Sequence, residues 1–293
     1  MRPKLKPKAV ERAERALCAR AVSWAADRRG HTRAERWLVG FEDGRSAFVK
    51  AAVDENTGEW LRREARIYGD VRRTFLARRL AWETNDPPLL VLEDLSRATW
   101  PPPWDAAMIA AVLAGLRAVA ATPPPEGVGR LDDRRARFDG WREVARDPEP
   151  FLSLGFGSRS WLEAALPALI EASDAAVLDG DALVHGDVRS DNICFVEERV
   201  VFIDWNEAAA GNPVFDVAFW LPSLALEGGP APDEIAPRYP GIAGLASVVA
   251  SYFAARAGLP PLPGAPRVRP LQLAQLRVAL PWALRELSLP ALR

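Results

Sequence analysis

Short stretches with a strand-like apolar pattern crowd the first third of the chain, and long helical periodicities take over after them. VSWAA at 22–26, AERWLVGF at 34–41 and RSAFVKAA at 45–52 read as three strands. Between the last two, EDGR supplies an Asp-Gly turn suited to a tight hairpin, which puts Lys50 near the end of a strand with an antiparallel neighbour. A helix over 10–20 precedes them. DENTGEWLRREARIYGDV at 54–71 predicts a second helix, with Thr57 as its N-cap and Leu61, Ala65 and Tyr68 along one face. Glu64 falls between Leu61 and Tyr68, on the inward side. The run LLVL at 89–92 reads as a buried strand, EDLS as its exit and TWPPPW as a stiff connector that continues neither sheet nor helix. A lobe boundary is expected there.

Beyond it, DAAMIAAVLAGLRAVAA at 105–121 and SRSWLEAALPALIEASDAAV at 158–177 repeat apolar residues at helical spacing. Two short strands interrupt the helical texture, ICFV at 193–196 and VVFID at 200–204, joined by the turn EER. Helices are expected again at 214–226, 241–257 and 271–289. The pattern therefore predicts an α+β chain, a small antiparallel sheet followed by a mainly α part.

Composition narrows the function classes. With 293 residues, 49% hydrophobic and 26% charged, the chain suits two joined lobes, and no apolar run approaches the roughly 18 residues of a membrane span. The basic first residues lack the apolar core of a secretory signal, so a cytoplasmic location is the default expectation. Cys18 and Cys194 match no metal or disulfide spacing and read as reduced, structural thiols. A net charge of -1 argues against an electrostatic nucleic-acid binder, which needs surplus Lys and Arg to neutralise phosphates. Small molecules are the expected partners. No heptad or long apolar patch requires an oligomer.

The stretch HGDVRSDNICF at 185–195 concentrates the candidate chemistry. A loop after LVHGD ends at Asn192, and the hairpin that follows delivers Asp204 at the end of its second strand, so Asp187, Asn192 and Asp204 are expected to converge at one hairpin edge. Two carboxylates and an amide oxygen are hard ligands, suited to Mg²⁺ with substrate phosphates and poor for zinc. Phosphoryl transfer uses such a set, one aspartate to orient an attacking hydroxyl and an Asn–Asp pair to hold the metal on nucleotide phosphates. Each residue also has a plainer reading. His185 reads as a structural histidine bonded to backbone, Glu93 as a strand terminus, and Trp205 and Trp220 as packing. Arg189, Ser190 and Asp191 read as loop surface beside the acceptor, with Asp191 either contacting a cationic substrate or capping the turn. Lys50 alone would be a solvated strand end; an inward-facing Glu64 changes that, because a buried carboxylate needs a cationic partner.

Taken together, H-G-D-x-x-x-x-N at 185–192, I-D-W at 203–205 and GNPVFDVAFWLPSL at 211–224, preceded in order by FVK with Lys50, the helix with Glu64 and VLEDL, resemble the aminoglycoside phosphotransferase family and its protein-kinase-like fold. The resemblance spans roughly 22–226. It implies two lobes, residues 1–95 for nucleotide binding and 96–293 as a helical catalytic and substrate-binding lobe, with the small antiparallel sheet carrying one helix. It implies ATP and Mg²⁺ as cofactors and Asp187 as the catalytic base. Asn192 and Asp204 become the metal ligands. Lys50 would hold the α and β phosphates, paired with Glu64, and the VLEDL segment with Glu93 and Leu95 would be the hinge beside adenine. Asp216 resembles the buried aspartate that braces the catalytic loop.

Two departures shape the expectation. The segment DRRGHTRAE at 27–35 has only Gly30 where kinase-like folds place a glycine-bearing phosphate turn, so His31, Thr32 or Arg33 would supply contacts there, or the segment is a surface turn. After Glu234 the chain carries Arg238, Arg256, Arg267, Arg269, Arg277, Arg285 and Arg293 against Glu286 as the one acid, which disfavours a polycationic acceptor. The leading expectation is a kinase acting on a hydroxyl of a small molecule: an aminoglycoside or other antibiotic, an amino alcohol, homoserine or a sugar. The alternative is a nucleotide-binding, pseudokinase-like module with little catalysis. HGD in place of HRD and no APE-like close disfavour a protein kinase. A His-rich two-metal phosphoesterase is disfavoured because the chain has two histidines.

Overall fold

The structure, a computed structural model, describes residues 5–27, 33–263 and 265–291. In chain order its first elements are α1 (Lys8–Leu17), β1 (Ala21–Ala26), β2 (Glu35–Phe41), β3 (Ser46–Ala51), α2 (Glu55–Asp70), β4 (Arg79–Glu83) and β5 (Leu89–Glu93). Then follow α3 (Ala106–Ala120), α4 (Gly140–Arg146), α5 (Glu149–Leu152), α6 (Arg159–Ala175) and β6 (Ala182–Val184). The chain continues through β7 (Ile193–Val196), β8 (Arg199–Phe202), β9 (Ala209–Gly211), α7 (Val214–Leu226), α8 (Pro232–Ile235), α9 (Ile242–Ala257) and α10 (Val268–Glu286). These form two compact units. One gathers Met1–Trp100 with Pro125–Val128 and Asp191–Ala208; the other holds Pro101–Pro124, Gly129–Ser190 and Ala209–Arg293. The hairpin of β7 and β8 thus groups with the sheet.

In the first unit, five antiparallel strands run in the order β1-β2-β3-β5-β4. Strand side chains alternate between faces. Ala47, Val49 and Ala51 of β3, with Leu89 and Val91 of β5, bury one face against Ala9, Val10 and Ala13 of α1. Lys50, between Val49 and Ala51, therefore points to the other face, where α2 lies. The sheet accordingly carries two helices. The turn between β2 and β3 uses the expected Asp-Gly, but as a type I turn closed by a bulge: Gly44 N–H donates to the Phe41 carbonyl at 3.1 Å and Phe41 N–H to Arg45 at 2.8 Å. Gly44, with φ of 80°, occupies the left-handed position that this loop demands.

Two expectations change on contact with the structure, and one strand was not anticipated. The N-cap of α2 is Asp54; Thr57 is three residues inside and completes a reciprocal box, its N–H donating to Asp54 Oδ1 at 2.8 Å and its Oγ1 accepting from Asp54 N–H at 3.0 Å. Strand β4, RLAWE, carries charges at both ends and a half-buried pattern, so it has no continuous apolar signal. Strand β8 stops at Phe202, and Asp204 lies just beyond it.

In the second unit, α9 is buried along most of its length and packs against α4, α6, α7 and α10. Polar groups inside it are paired: the Trp141 indole donates to the carbonyl and the Oγ of Ser247, each at 3.1 Å. Strands β6 and β9, three residues each, pair antiparallel and bracket residues 185–208 in sequence.

Cys18 is exposed and Cys194, on β7, is fully buried, with its thiol pushed up to about 12 mainly by burial. A thiol of that pKa is ~10⁻⁴ ionised at pH 8. A thiol-reactive dye at pH 8 is expected to label one cysteine of the native protein and two after denaturation; labelling of both in the native state would contradict this packing.

Candidate active site

The centre of the first unit is an ammonium group between two carboxylates. Lys50 Nζ lies 2.8 Å from both Glu64 oxygens and 3.0 Å from Asp204 Oδ1. Lys50 and Glu64 are 6% and 2% exposed, so the pair is shut off from water. Period-2 alternation turns Lys50 toward α2, and the 3.6-residue period places Glu64 with Leu61, Ala65 and Tyr68 on the facing side. Burial alone would lower the Lys50 pKa, but Asp204 and Glu64 outweigh it and the net shift is upward. The lysine is charged. One cation against two carboxylates leaves the cluster net negative, which favours a divalent cation at its more exposed member, Asp204.

Asp204 is held in an unusual backbone state. Its φ of 66° and ψ of 57° are left-handed, uncommon outside glycine. The neighbours enforce it: Trp205 is fully buried, packs 5.8 Å from the ring of Phe75, and donates its indole N–H to the Phe202 carbonyl at 2.8 Å. Asn206, its amide nitrogen facing Asp204, donates to Asp204 Oδ1 at 3.3 Å and to its carbonyl at 3.0 Å. Across the hairpin, Ile203 N–H donates to the Asn192 carbonyl at 3.0 Å, extending the Ile193–Phe202 register by one step. Asn192 and Asp204 therefore stand at the same open end. An aspartate and an asparagine are oxygen donors and fit Mg²⁺, whose remaining ligands are water and phosphate. Among the described residues no group of three or more His, Cys, Asp or Glu could hold a metal.

Glu93 and Leu95, expected at the hinge, lie in the same unit. Glu93 ends β5, and its carboxylate accepts from the Arg78 backbone N–H at 2.9 Å and from Arg199 at 3.0 Å, which fastens the sheet to β8. Its side chain is thus structural. The Leu95 carbonyl accepts from the Trp100 indole at 3.2 Å. Of the 27–35 segment, Gly30, His31 and Thr32 lie outside the described residues; Arg33 is exposed.

The second unit holds the residues around Asp187. Asp216, fully enclosed in the first turn of α7, accepts from His185 N–H at 2.7 Å and Gly186 N–H at 2.8 Å. Burial raises its pKa, against the opposing pull of His185 and these two donors. His185 is fully buried, and its Nδ1 accepts from Asp187 N–H at 3.2 Å. Gly186, at φ 81°, makes the left-handed step that a side chain would strain. Asp187 stays partly open to solvent, with Arg189 Nε 3.4 Å from its Oδ1. Arginine at that distance adds positive charge beside the carboxylate.

Comparison with known proteins bears on this geometry. The model of the Phosphotransferase enzyme family, APH, matches residues 25–250. This chain belongs to that family. As a phosphotransferase of this type it is a small-molecule kinase. The kinase-like fold is shared with solved structures of low identity. A choline/ethanolamine kinase family protein from Mesorhizobium loti is 15% identical, with a TM-score of 0.59 and 96% of this chain and 98% of that one covered. An aminoglycoside phosphotransferase from Alicyclobacillus acidocaldarius is 15% identical, at 0.53 with 98% and 95% covered. A spectinomycin phosphotransferase, solved with ADP and spectinomycin, is 12% identical, at 0.51 with 87% and 86% covered. No match to a curated protein was found. No described helix is long and apolar enough to cross a membrane.

Within this phosphotransferase, Lys50, Glu64, Asn192, Asp204, Glu93 and Leu95 lie in the first unit and Asp187 in the second. Ser190, expected on the loop surface, is instead nearly buried and bonded to Glu227. Arg199, Trp104 and Glu227 gave no signal in sequence, because each acts through a partner far away along the chain; Asn206 gave none because its bonds to Asp204, two residues back, depend on the turn between them. Removing Lys50 strands Glu64 without a counter-ion. Lys50→Met is expected to cost about 3–5 kcal/mol, and adding Glu64→Leu to recover most of it. Urea midpoints measure both; an unchanged midpoint in Lys50→Met would refute the account.

Proposed function

We propose that this phosphotransferase moves the γ-phosphate of ATP, bound with Mg²⁺, to a hydroxyl of a small molecule. The observation that carries the reading is the buried Lys50–Glu64 pair in contact with Asp204. A buried ammonium fixed between Glu64 and Asp204 sets a cation beside a carboxylate able to take Mg²⁺, the pairing that nucleotide phosphates call for. In this reading residues 1–95 serve the nucleotide and residues 96–293 the acceptor. Lys50 holds the α and β phosphates and Glu64 keeps it in place. The backbone around Glu93 and Leu95 lies along the adenine edge. Asn192 and Asp204 are the metal ligands, and bound Mg²⁺ supplies neutralisation of the β- and γ-phosphate oxygens.

Asp187 orients the acceptor hydroxyl and takes its proton as the new O–P bond forms and the bond from γ-phosphorus to the ADP oxygen breaks. The products are the phosphate ester, ADP and a proton carried first by Asp187. The solved spectinomycin phosphotransferase, with ADP and spectinomycin, lends the nucleotide assignment support by analogy. The arginine-rich tail weighs against a polycationic acceptor. Arg285 is paired with Asp233, and Arg256 donates to the Tyr252 and Arg137 carbonyls. Amino alcohols, sugars and lightly charged antibiotics remain the acceptor classes of choice.

Loss of a positioned base costs about 10²–10⁴ in rate. Asp187→Ala is expected to abolish transfer while ATP binding, followed by calorimetry, stays within a few-fold. Unchanged turnover would remove the role. Asp204→Ala is expected to bind ATP with one affinity whether or not Mg²⁺ is present, unlike the wild type. An ATP-consumption screen over aminoglycosides, other hydroxylated antibiotics, amino alcohols and sugars identifies the acceptor; ATP binding with silence across the panel would favour a non-catalytic module.

A further inference from the structure

Glu227 lies immediately after α7, and both its carboxylate oxygens are engaged by residues remote in sequence. Ser190 Oγ donates to Oε1, and the Trp104 indole N–H donates to Oε2 at 2.8 Å. Trp104 is itself fixed, edge-on to the fully buried Trp220 with ring centroids 5.6 Å apart. The helix end that carries Glu227 is closed by Glu227 N–H bonding the Ser223 and Leu224 carbonyls and by Gly229 N–H donating to Leu224 at 2.9 Å. A carboxylate on such a base is a fixed point rather than a mobile surface charge.

Ser190 is the third residue after Asp187, and it is only 9% exposed. The upstream end of the same segment is also tied to α7, through Asp216 and the backbone N–H groups of His185 and Gly186. One helix therefore grips the segment at both ends. Asp187 lies within the segment, between the anchor at Gly186 and the anchor at Ser190. Burial of the Ser190 hydroxyl adds a penalty for letting go, since a buried hydroxyl left unpaired is destabilising.

We propose that Glu227 is a positioning residue for phosphoryl transfer: by pinning Ser190 to the end of α7 it sets the orientation of Asp187. The inference rests on the assignment of Asp187 as the base. Glu227 touches neither nucleotide nor acceptor in this account; it acts through Ser190. Trp104 fixes the second oxygen so that the first has one orientation to offer.

The test uses the full chain with Ser190→Ala, Glu227→Gln, the double variant and Asp187→Ala. Hydrogen exchange of the 187–191 amides, without nucleotide or acceptor, is expected to quicken at least tenfold in both single variants while the α9 amides keep their protection. Turnover of Mg·ATP, alone and with acceptors of the screening panel, is expected to show kcat reduced about ten- to a hundredfold at an unchanged KM for ATP. The double variant is expected to be no worse than either single one, because both remove the same contact. A uniform loss of thermal stability without this kcat-only signature, or unchanged exchange at 187–191, overturns the proposal. So does additivity in the double variant. Full kcat in both single variants alongside a dead Asp187→Ala overturns the role of Glu227 and leaves the proposed function standing. A wild type inert toward every acceptor and toward water overturns both.

Discussion

A single ammonium group organises the sheet-containing unit. Lys50 Nζ bridges partners that are 14 and 154 residues away in sequence, Glu64 on α2 and Asp204 after β8. Burying that charge costs several kcal/mol unless geometry and hydrogen bonding are good, and here three of its contacts fall at 3.0 Å or less. The arrangement constrains everything attached to it. Strand β3 must present Lys50 on the α2 face, α2 must begin at the Asp54 box so that Glu64 falls opposite, and the hairpin must end with Asp204 turned back toward the sheet. Trp205, sunk in the core behind Asp204, makes the last condition mechanical.

The helical unit follows a related principle with the signs reversed. Its fixed points are carboxylates, Asp216 and Glu227, and their partners are neutral donors: two backbone N–H groups, a serine hydroxyl and an indole. Neutral donors hold the segment in place, and Asp187 within it stays partly open to solvent beside Arg189. The surplus of arginine near the C-terminus fits the same picture. Arg285 grips Asp233, Arg256 bonds two carbonyls and stacks on Tyr252, and Arg269 bonds Pro260 and Gln272. These guanidinium groups brace helices.

Much of this was legible before any coordinates. Strand-like patterns placed β1, β2, β3 and β5 within a residue or two, and helical spacing placed α3, α6, α7 and α9 nearly as well. The inward-facing Glu64 announced a cationic partner, and Lys50 was the strand residue able to supply it. Strand β4 escaped because its burial is partial, and β6 and β9 because three residues establish no period. The cap of α2 moved from Thr57 to Asp54 because both types favour that place and only hydrogen-bond geometry separates them. Ser190 and Glu227 show the limit most clearly: a serine in a polar loop and a glutamate past a helix end look like solvated surface until each is seen to hold the other.

The sequence by itself determined the α+β class, the order of motifs from FVK to GNPVFD, the membership in the phosphotransferase family and the residue types available for metal and phosphate. Those properties depend on periodicity and on chemistry local to a few positions. Tertiary structure alone decided that Lys50 takes Asp204 as well as Glu64, that Glu93 serves Arg78 and Arg199 with its side chain, and that α7 grips both ends of the segment carrying Asp187. Each is a pairing between distant parts of the chain, and the free energy that selects it comes from burial, which no stretch of sequence contains.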